Sequence, residues 1–496
     1  MDPIKKVLVL GGGSAGFMVA LALKKRIPAL QVVVIRSKDI PIIGVGEGST
    51  IGFTKFLNEY IRVGLKNFYK TARPTWKLGT RFIWGPRENF SFGFGPGMEM
   101  PIPSLPKNVG FYCQQDMSHL DNITALMTHD RIFERGINNS PKLHNCYAYH
   151  LENINFVRYI EELALAMGVE IVDDTVREVR PDDAGVASLE MASGARQTAD
   201  LYVDCSGFVS LLLGKALGEP FISYKSTLFC ERAIVGGWAR GADEPIKPYT
   251  TAQTMDAGWA WQIEHEERVN RGYVYCADFI SDEAAEREFR AKNPKIDRTR
   301  LVKFVSGRYQ RAWVKNVVGI GNAGGFVEPL EATALSMISQ GAQLLTETLR
   351  DSHGHPTQVL RDNFNDFHAR TWDSIRNFLA VHYRHNTRLD TEFWRHCRAN
   401  IDLAGAGPVV ETFKAIGPNN FWSKTQIDAY DPFRAVGYFA VLVGQQVPYR
   451  AQHQPSDREL VVWKKHCAEM EKQALHAMTV RQALDAIHAP NWQWAS

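Results

Sequence analysis

Three groups of residues in this chain have types and spacings suited to chemistry. Glycines 11, 13 and 16 of Gly11-Gly12-Gly13-Ser14-Ala15-Gly16 satisfy G-x-G-x-x-G. The fingerprint follows the apolar run Val7-Leu8-Val9-Leu10 and precedes Phe17, Met18, Leu21 and Ala22 at helical spacing. Strand, tight turn and helix in that order bring a pyrophosphate against backbone N–H groups at a helix N-terminus. Gly11, Gly13, Ser14, Ala15 and Gly16 are therefore the expected dinucleotide contacts. Lys77 stands between Trp76 and Leu78. A lysine so flanked either snorkels to the surface or is buried, and burial disfavours its charged form and frees the amine. Far downstream, Gly258-Trp259-Ala260-Trp261-Gln262-Ile263 sets two indoles two residues apart.

The fingerprint also reads G-x-S-x-G, with Ser14 in the place of a hydrolase nucleophile. That motif needs an earlier strand and loop to supply an oxyanion donor, and only ten residues precede Gly11. An acidic residue that holds the ribose is expected about twenty residues on, at the end of the second strand. Val32-Val33-Val34-Ile35 is that strand, yet Arg36 follows it. Arginine here signals either a 2′-phosphate, hence NADP, or a ribose held otherwise. Glu47, in Gly44-Val45-Gly46-Glu47-Gly48-Ser49-Thr50, is the candidate from the next loop.

A chain of 496 residues builds two or three structural modules around a large core. With 45% apolar and 22% charged residues it has the make-up of an ordinary globular protein. A net charge of +3 without a basic run argues against nucleic acid. No apolar stretch of about eighteen residues is present to span a bilayer, and the four-residue run before the glycines is too short for a signal peptide. The seven cysteines (Cys113, Cys146, Cys205, Cys230, Cys276, Cys397 and Cys467) are scattered and form no C-x-x-C. That pattern favours reduced thiols and a cytoplasmic setting. No H-E-x-x-H or Cys/His cluster supports a metal.

Three strand-and-turn units share one pattern: residues 7–16, Leu201 to Gly207, and Val317 to Gly325. The expected fold is α/β with α+β elements: a Rossmann-like FAD module of the monooxygenase type, split by insertions, over residues 1–345, and a mainly helical module over 346–496. The insertions fall at about 74–110 and 218–308. The first, rich in Gly, Pro and aromatics, reads as a long loop bordering a pocket. The second is a long mixed segment with β-type patches at Tyr273 to Tyr275 and Val302 to Phe304. In the helical part, Ser456 with Glu459 and Thr479 with Gln482 form capping boxes.

Taken in order, these motifs make the chain resemble the flavin-dependent halogenases of the tryptophan halogenase family. The fingerprint, Gly44 to Thr50, Trp76-Lys77-Leu78-Gly79, Tyr147 to Leu151, Asp204 to Gly207, Gly258 to Ile263 and Gly321 to Leu335 carry the likeness. The resemblance implies that reduced FAD, supplied by a partner reductase, and oxygen give a flavin C4a-hydroperoxide, from which a halide takes oxygen to form hypohalous acid. By the same match Lys77 delivers that acid to an aromatic ring, and Glu331 orients it and accepts the ring proton. Thr333 and Ala334 face the halide at a helix start. Trp259 and Trp261 separate substrate from flavin, Asn322 and Leu335 lie beside the flavin, and Val176 lies near its adenine end. Glu328 is read as a charge at a helix N-terminus. The family's W-x-W-x-I-P departs here to Glu264 in the proline place, and the tail pair Trp492 and Trp494 reads as packing.

Phe90-Ser91-Phe92-Gly93-Phe94-Gly95 offers stacking faces, and Phe92 and Phe94 are the pocket candidates. A free aromatic of indole type is the expected substrate, with bromide or chloride as co-substrate. The implied partners are that small aromatic and the reductase, with homodimer formation left open and no membrane or nucleic acid. Two other readings share features of the chain. A flavin monooxygenase would hydroxylate or epoxidise without halide, and an NADP-dependent reductase would use Arg36.

Overall fold

The computed structural model describes residues 3–40, 46–99, 102, 104–105, 117–451 and 453–494. Gly44, Val45 and Cys113 lie outside the described residues. Strands β1 (Lys6–Leu10) and β2 (Gln31–Arg36) flank helix α1 (Ser14–Arg26) in chain order. They sit in a six-stranded sheet whose order is Glu170–Asp173, β2, β1, Leu201–Asp204, Val317–Gly319 and Trp313–Val314. All pairs are parallel except the last. Strands buried on both faces need continuous apolar runs, which is why Val7 to Val9 and Val32 to Ile35 read as they do; each is at most 1% exposed.

The second insertion forms most of another sheet. Its seven strands run in the order Thr299–Lys303, Arg232–Ala239, Arg268–Tyr275, Gly258–Glu264, Thr250–Met255, Gly79–Ile83 and Phe90–Gly93. The β-type patch expected at 273–275 is thus part of a longer strand, and that at 302–304 overlaps the end of Thr299–Lys303, with Phe304 just beyond it. Residues 75–93, expected as loop, are a correction: Thr75–Lys77 (β3), Gly79–Ile83 (β4) and Phe90–Gly93 (β5) are strands. Alternating Thr80, Phe82 and Phe90 are buried on one side against the core, with Phe92 half-buried on the same side, and Pro86 and Pro96 fall outside the strands, where a missing N–H breaks no ladder. Residues 94–96 lie outside the strands, and Gly97–Glu99 form a short 3₁₀ turn.

Among the described residues, the helices longer than 14 residues all lie in the second half. Helix α2 (Ala334–Asp351) packs on α1, α3 (Gln358–His385) on α2, and α4 (Arg434–Gly444) on both α3 and β5. Both capping boxes are present, at Ser456/Glu459 and Thr479/Gln482. Trp494 stacks on Tyr69 with centroids 4.9 Å apart, in keeping with a packing role for the tail pair. Among the described residues no helix is long and apolar enough to cross a membrane.

Candidate active site

The glycine turn is shaped by close approach. Gly11 has φ +129°, and a Cβ there would lie 2.3 Å from the Cys205 carbonyl oxygen; one at Gly16 would lie 1.8 Å from the Gly11 oxygen. Gly13 differs, since a Cβ there meets nothing within 4 Å. Helix α1 begins beside this open space with no side-chain cap and no acidic residue in its first turn. Its N–H groups and positive dipole end are therefore free for an anion, which fits the pyrophosphate of a dinucleotide. Asn322 lies on the turn Gly321–Ala323, and Gly321 approaches Ala15 closely. Leu335 is fully buried in α2, next to α1.

Arg36 is not free for a 2′-phosphate. Its Nη1 is 2.5 Å from Glu161 and its Nε 2.6 Å from Asp173, so two carboxylates neutralise it. Val176 opens the strand beside this end of β2, where Ser37 and Thr175 hydroxyls meet at 2.7 Å. Glu47 lies on the short strand Glu47–Gly48, paired with Ala148–Leu151. It accepts a hydrogen bond from Asn153, and burial pushes its carboxyl up to about 7.

Lys77 ends β3 and is 1% exposed, so the surface reading of this lysine fails. Burial pushes its ammonium down to about 8, against the opposing pull of the Glu331 carboxylate. Its Nζ lies 5.6 Å over the Phe94 ring. A Cβ on Gly48 would sit 3.4 Å from Lys77 Nζ and 3.3 Å from Ala332 Cβ, which places those two atoms no more than about 7 Å apart. Lys77 and the turn carrying Glu331 are thus neighbours although 254 residues of sequence separate them.

Glu331 and Thr333 border a cavity of about 600 Å³. Phe92 and Phe94 form part of its wall, and Phe433, Met337 and Ile375 complete an apolar lining. Pro96 and Arg434, both exposed, mark where it reaches the surface. Glu99 at this mouth is paired with Arg434 and Lys424. Thr333 is the N-cap of α2 and Ala334 its first residue; no side chain caps that end.

Trp259 and Trp261 lie on one face of Gly258–Glu264, with centroids 6.1 Å apart. Neither borders the cavity. Trp259 Nε1 donates to Glu328 Oε1 at 3.2 Å, and the Tyr383 hydroxyl donates to the same oxygen. Glu328 is therefore not a helix-end charge but a buried acceptor, and burial lifts its carboxyl to about 7. The shared oxygen is what two buried donors require. Glu264, in the proline place, forms an ion pair with Arg240 in which both side chains are 1% exposed. Its carbonyl accepts from the Thr75 hydroxyl, tying this strand to β3 two residues before Lys77.

A buried lysine beside the turn that carries a cavity-lining glutamate, and an inner tryptophan bonded to that same turn, come together in the fold, and the tryptophan halogenase family model matches residues 6–459. The chain belongs to the tryptophan halogenase family. It is a flavin-dependent halogenase. Among its relatives, the 7-chloro-L-tryptophan 6-halogenase KtzR of Kutzneria sp. (strain 744) is 31% identical over 474 residues, covering 88% of this chain and 90% of that one. The tryptophan 6-halogenase ThaL of Streptomyces albogriseolus is 30% identical, covering 87% and 86%. Of solved structures, MibH, a lanthipeptide tryptophan 5-halogenase, is 38% identical with a TM-score of 0.88, covering 98% of this chain and 93% of that one.

Sequence reasoning did not reach several residues of this halogenase's site. His382 Nε2 lies 2.8 Å from Glu331 Oε1, Tyr383 holds Glu328, and Thr50 Oγ1 bonds Ser336 Oγ at the start of α2. Cys146 lines the cavity. Of these, only Thr50 carried a signal, at the end of the glycine-rich segment Gly44 to Thr50.

Proposed function

We propose that this enzyme halogenates an indole ring using reduced FAD delivered by a separate reductase. One observation carries the reading: Lys77, buried and pushed down to about 8, lies within the pull of the Glu331 carboxylate, and Glu331 borders an aromatic-walled cavity beside an uncapped helix start. Reduced FAD with dioxygen supplies the oxidising power that converts halide to hypohalous acid. The open turn at Gly13, with Gly11, Ser14, Ala15, Gly16 and Asn322, would hold the cofactor, with Leu335 packed beside it, Val176 near its adenine and Glu47 offered to its ribose.

The α2 N-terminus would hold halide through the backbone N–H groups of Thr333 and Ala334, where the dipole favours an anion. Lys77, neutral in part near pH 8, can hydrogen-bond hypohalous acid or form a haloamine, and so aims the halogen. Glu331 accepts the ring proton. Trp259, held by its bond to Glu328, and Trp261 beside it would act as a partition between flavin and substrate. Phe92, Phe94 and Phe433 offer faces on which an indole stacks. The names of the relatives include free, chlorinated and lanthipeptide tryptophan, so the indole here is tried in each context.

The test combines the protein with FAD, a flavin reductase, NADH, bromide or chloride, and a panel of simple indoles, tryptophan and tryptophan-containing peptides. A halogen isotope pattern in the product, absent with Lys77→Ala, is expected. Oxygenated product that ignores halide and survives Lys77→Ala would replace halogenation with hydroxylation.

A further inference from the structure

Helix α3 sends two consecutive side chains to the two carboxylates of one turn: Tyr383 to Glu328 and His382 to Glu331. His382 is fully buried and Glu331 is 5% exposed. The other ring nitrogen of His382, Nδ1, lies 2.9 Å from the Phe378 carbonyl oxygen. A carbonyl only accepts, so Nδ1 carries a hydrogen. The remaining contact, Nε2 to Oε1, then holds one hydrogen, shared by an imidazolium and a carboxylate or by an imidazole and a carboxyl. Phe378 meets the imidazole edge-on at 4.7 Å, Phe82 lies at 5.2 Å and Trp84 at 6.3 Å. The aromatic box leaves the ring no other polar partner among the described residues.

Glu331 has no second hydrogen bond among the described residues. Its Oε1 is taken by His382, and the residue borders the cavity, so Oε2 is the oxygen left for reacting species. The carboxylate precedes Ala332, whose φ of +54° lies in the left-handed region that only a well-held non-glycine residue adopts. A buried polar pair inside an aromatic box is costly unless each member satisfies the other, and an apolar residue would fill this box more cheaply if packing were the purpose.

We propose that His382 is a positioning residue for Glu331, fixing Oε1 so that Oε2 points at the halogenating species and the ring proton. The inference rests on the halogenase mechanism proposed above. Misplacing a reacting group by about 1 Å costs on the order of 100-fold in rate, and hypohalous acid formed without an oriented carboxylate escapes before it meets the ring.

The experiment compares wild type, His382→Phe, His382→Gln and His382→Asn with indole and bromide. It reads brominated indole by mass spectrometry, escaped hypobromous acid with a chlorination-type dimedone trap, and consumption of reduced FAD. His382→Phe is expected to lower kcat for product roughly 10- to 100-fold with KM for indole little changed, while trapped oxidant rises and FAD turnover holds. His382→Gln, long enough to donate to Oε1, recovers part of the product-to-trap ratio, and the shorter His382→Asn does not. A wild-type ratio in His382→Phe would overturn the inference. If that variant does not fold, equal ratios in the Gln and Asn variants would overturn it as well. Wild-type protein that makes no brominated indole would instead fail the parent reading, and this inference with it.

Discussion

Replacing Lys77 by methionine should stabilise the protein near neutral pH while abolishing halogenation. Lowering an ammonium from 10.5 to about 8 means that folding disfavours the charged form by about 3 kcal/mol, at 1.36 kcal/mol per pKa unit. The sign follows from proton binding. Below about pH 8 the lysine is charged in both folded and unfolded chains, and the burial penalty is fully present. Between about 8 and 10.5 the unfolded chain keeps a proton that the folded chain releases, so wild-type stability rises with pH. Above 10.5 both forms are neutral and the penalty is gone. Methionine, unbranched and of similar length, carries no such penalty and can pack toward Phe94 and Ala332, which lie near the Lys77 amine. Unfolding midpoints of both proteins from pH 7 to 10.5 are the assay, and their difference is the quantity read, because other titrations cancel. The variant should lead by up to about 3 kcal/mol at pH 7, with the lead closing as pH rises. A lead that is constant with pH, or a less stable variant at pH 7, would refute the claim that Lys77 is buried at a charge cost.

Four further outcomes are expected. Glu331→Gln should lower product formation by roughly 100- to 10,000-fold, the range of a lost general base, with FAD binding intact by fluorescence titration. Gly13→Ala, whose new methyl meets only open space, should leave the unfolding midpoint unchanged and weaken FAD binding; Gly16→Ala, driven into the Gly11 carbonyl, should lower the midpoint. Glu264→Leu leaves Arg240 buried without its carboxylate and should destabilise by about 3–5 kcal/mol, read by denaturant titration. Gly48→Val should insert methyl groups between Lys77 Nζ and Ala332, cutting halogenation while circular dichroism stays as in wild type.

The first strand–helix–strand unit was legible because its signals are local. A glycine fingerprint in register with an apolar strand and a helical run is decided within sixteen residues, and the capping boxes within four. The strands of residues 75–93 were missed because glycine and proline dominate the composition there, while the alternation of Thr80, Phe82, Phe90 and Phe92 becomes meaningful only beside Thr250–Met255, far along the chain. Glu328 shows the same limit. Read alone, a carboxylate before a proline looks like a helix-end charge, and its role as acceptor for Trp259 and Tyr383 depends on partners 69 and 55 residues away. His382 offered no spacing or motif at all, since a histidine inside a long amphipathic helix is indistinguishable from a core residue until the fold turns it toward Glu331. Arg36, read in sequence as a phosphate signal, proved to be paired on both sides by carboxylates from other elements.

Two of the groups of residues that wall the cavity differ in origin. Glu331, Thr333, Ser336 and Met337 come from the turn and first coils of α2, while Phe92 to Glu99 and Pro432 to Val436 come from a strand end and the approach to α4. A lineage can therefore change its diet without rebuilding its reagent: edits in the second set alter which ring is admitted and which carbon is presented, and the oxidising end is inherited untouched. Variant libraries confined to Phe92, Phe94, Phe433, Arg434 and Val436 should yield new substrates and new regiochemistry at a far higher rate of surviving catalysts than libraries spread over the whole wall.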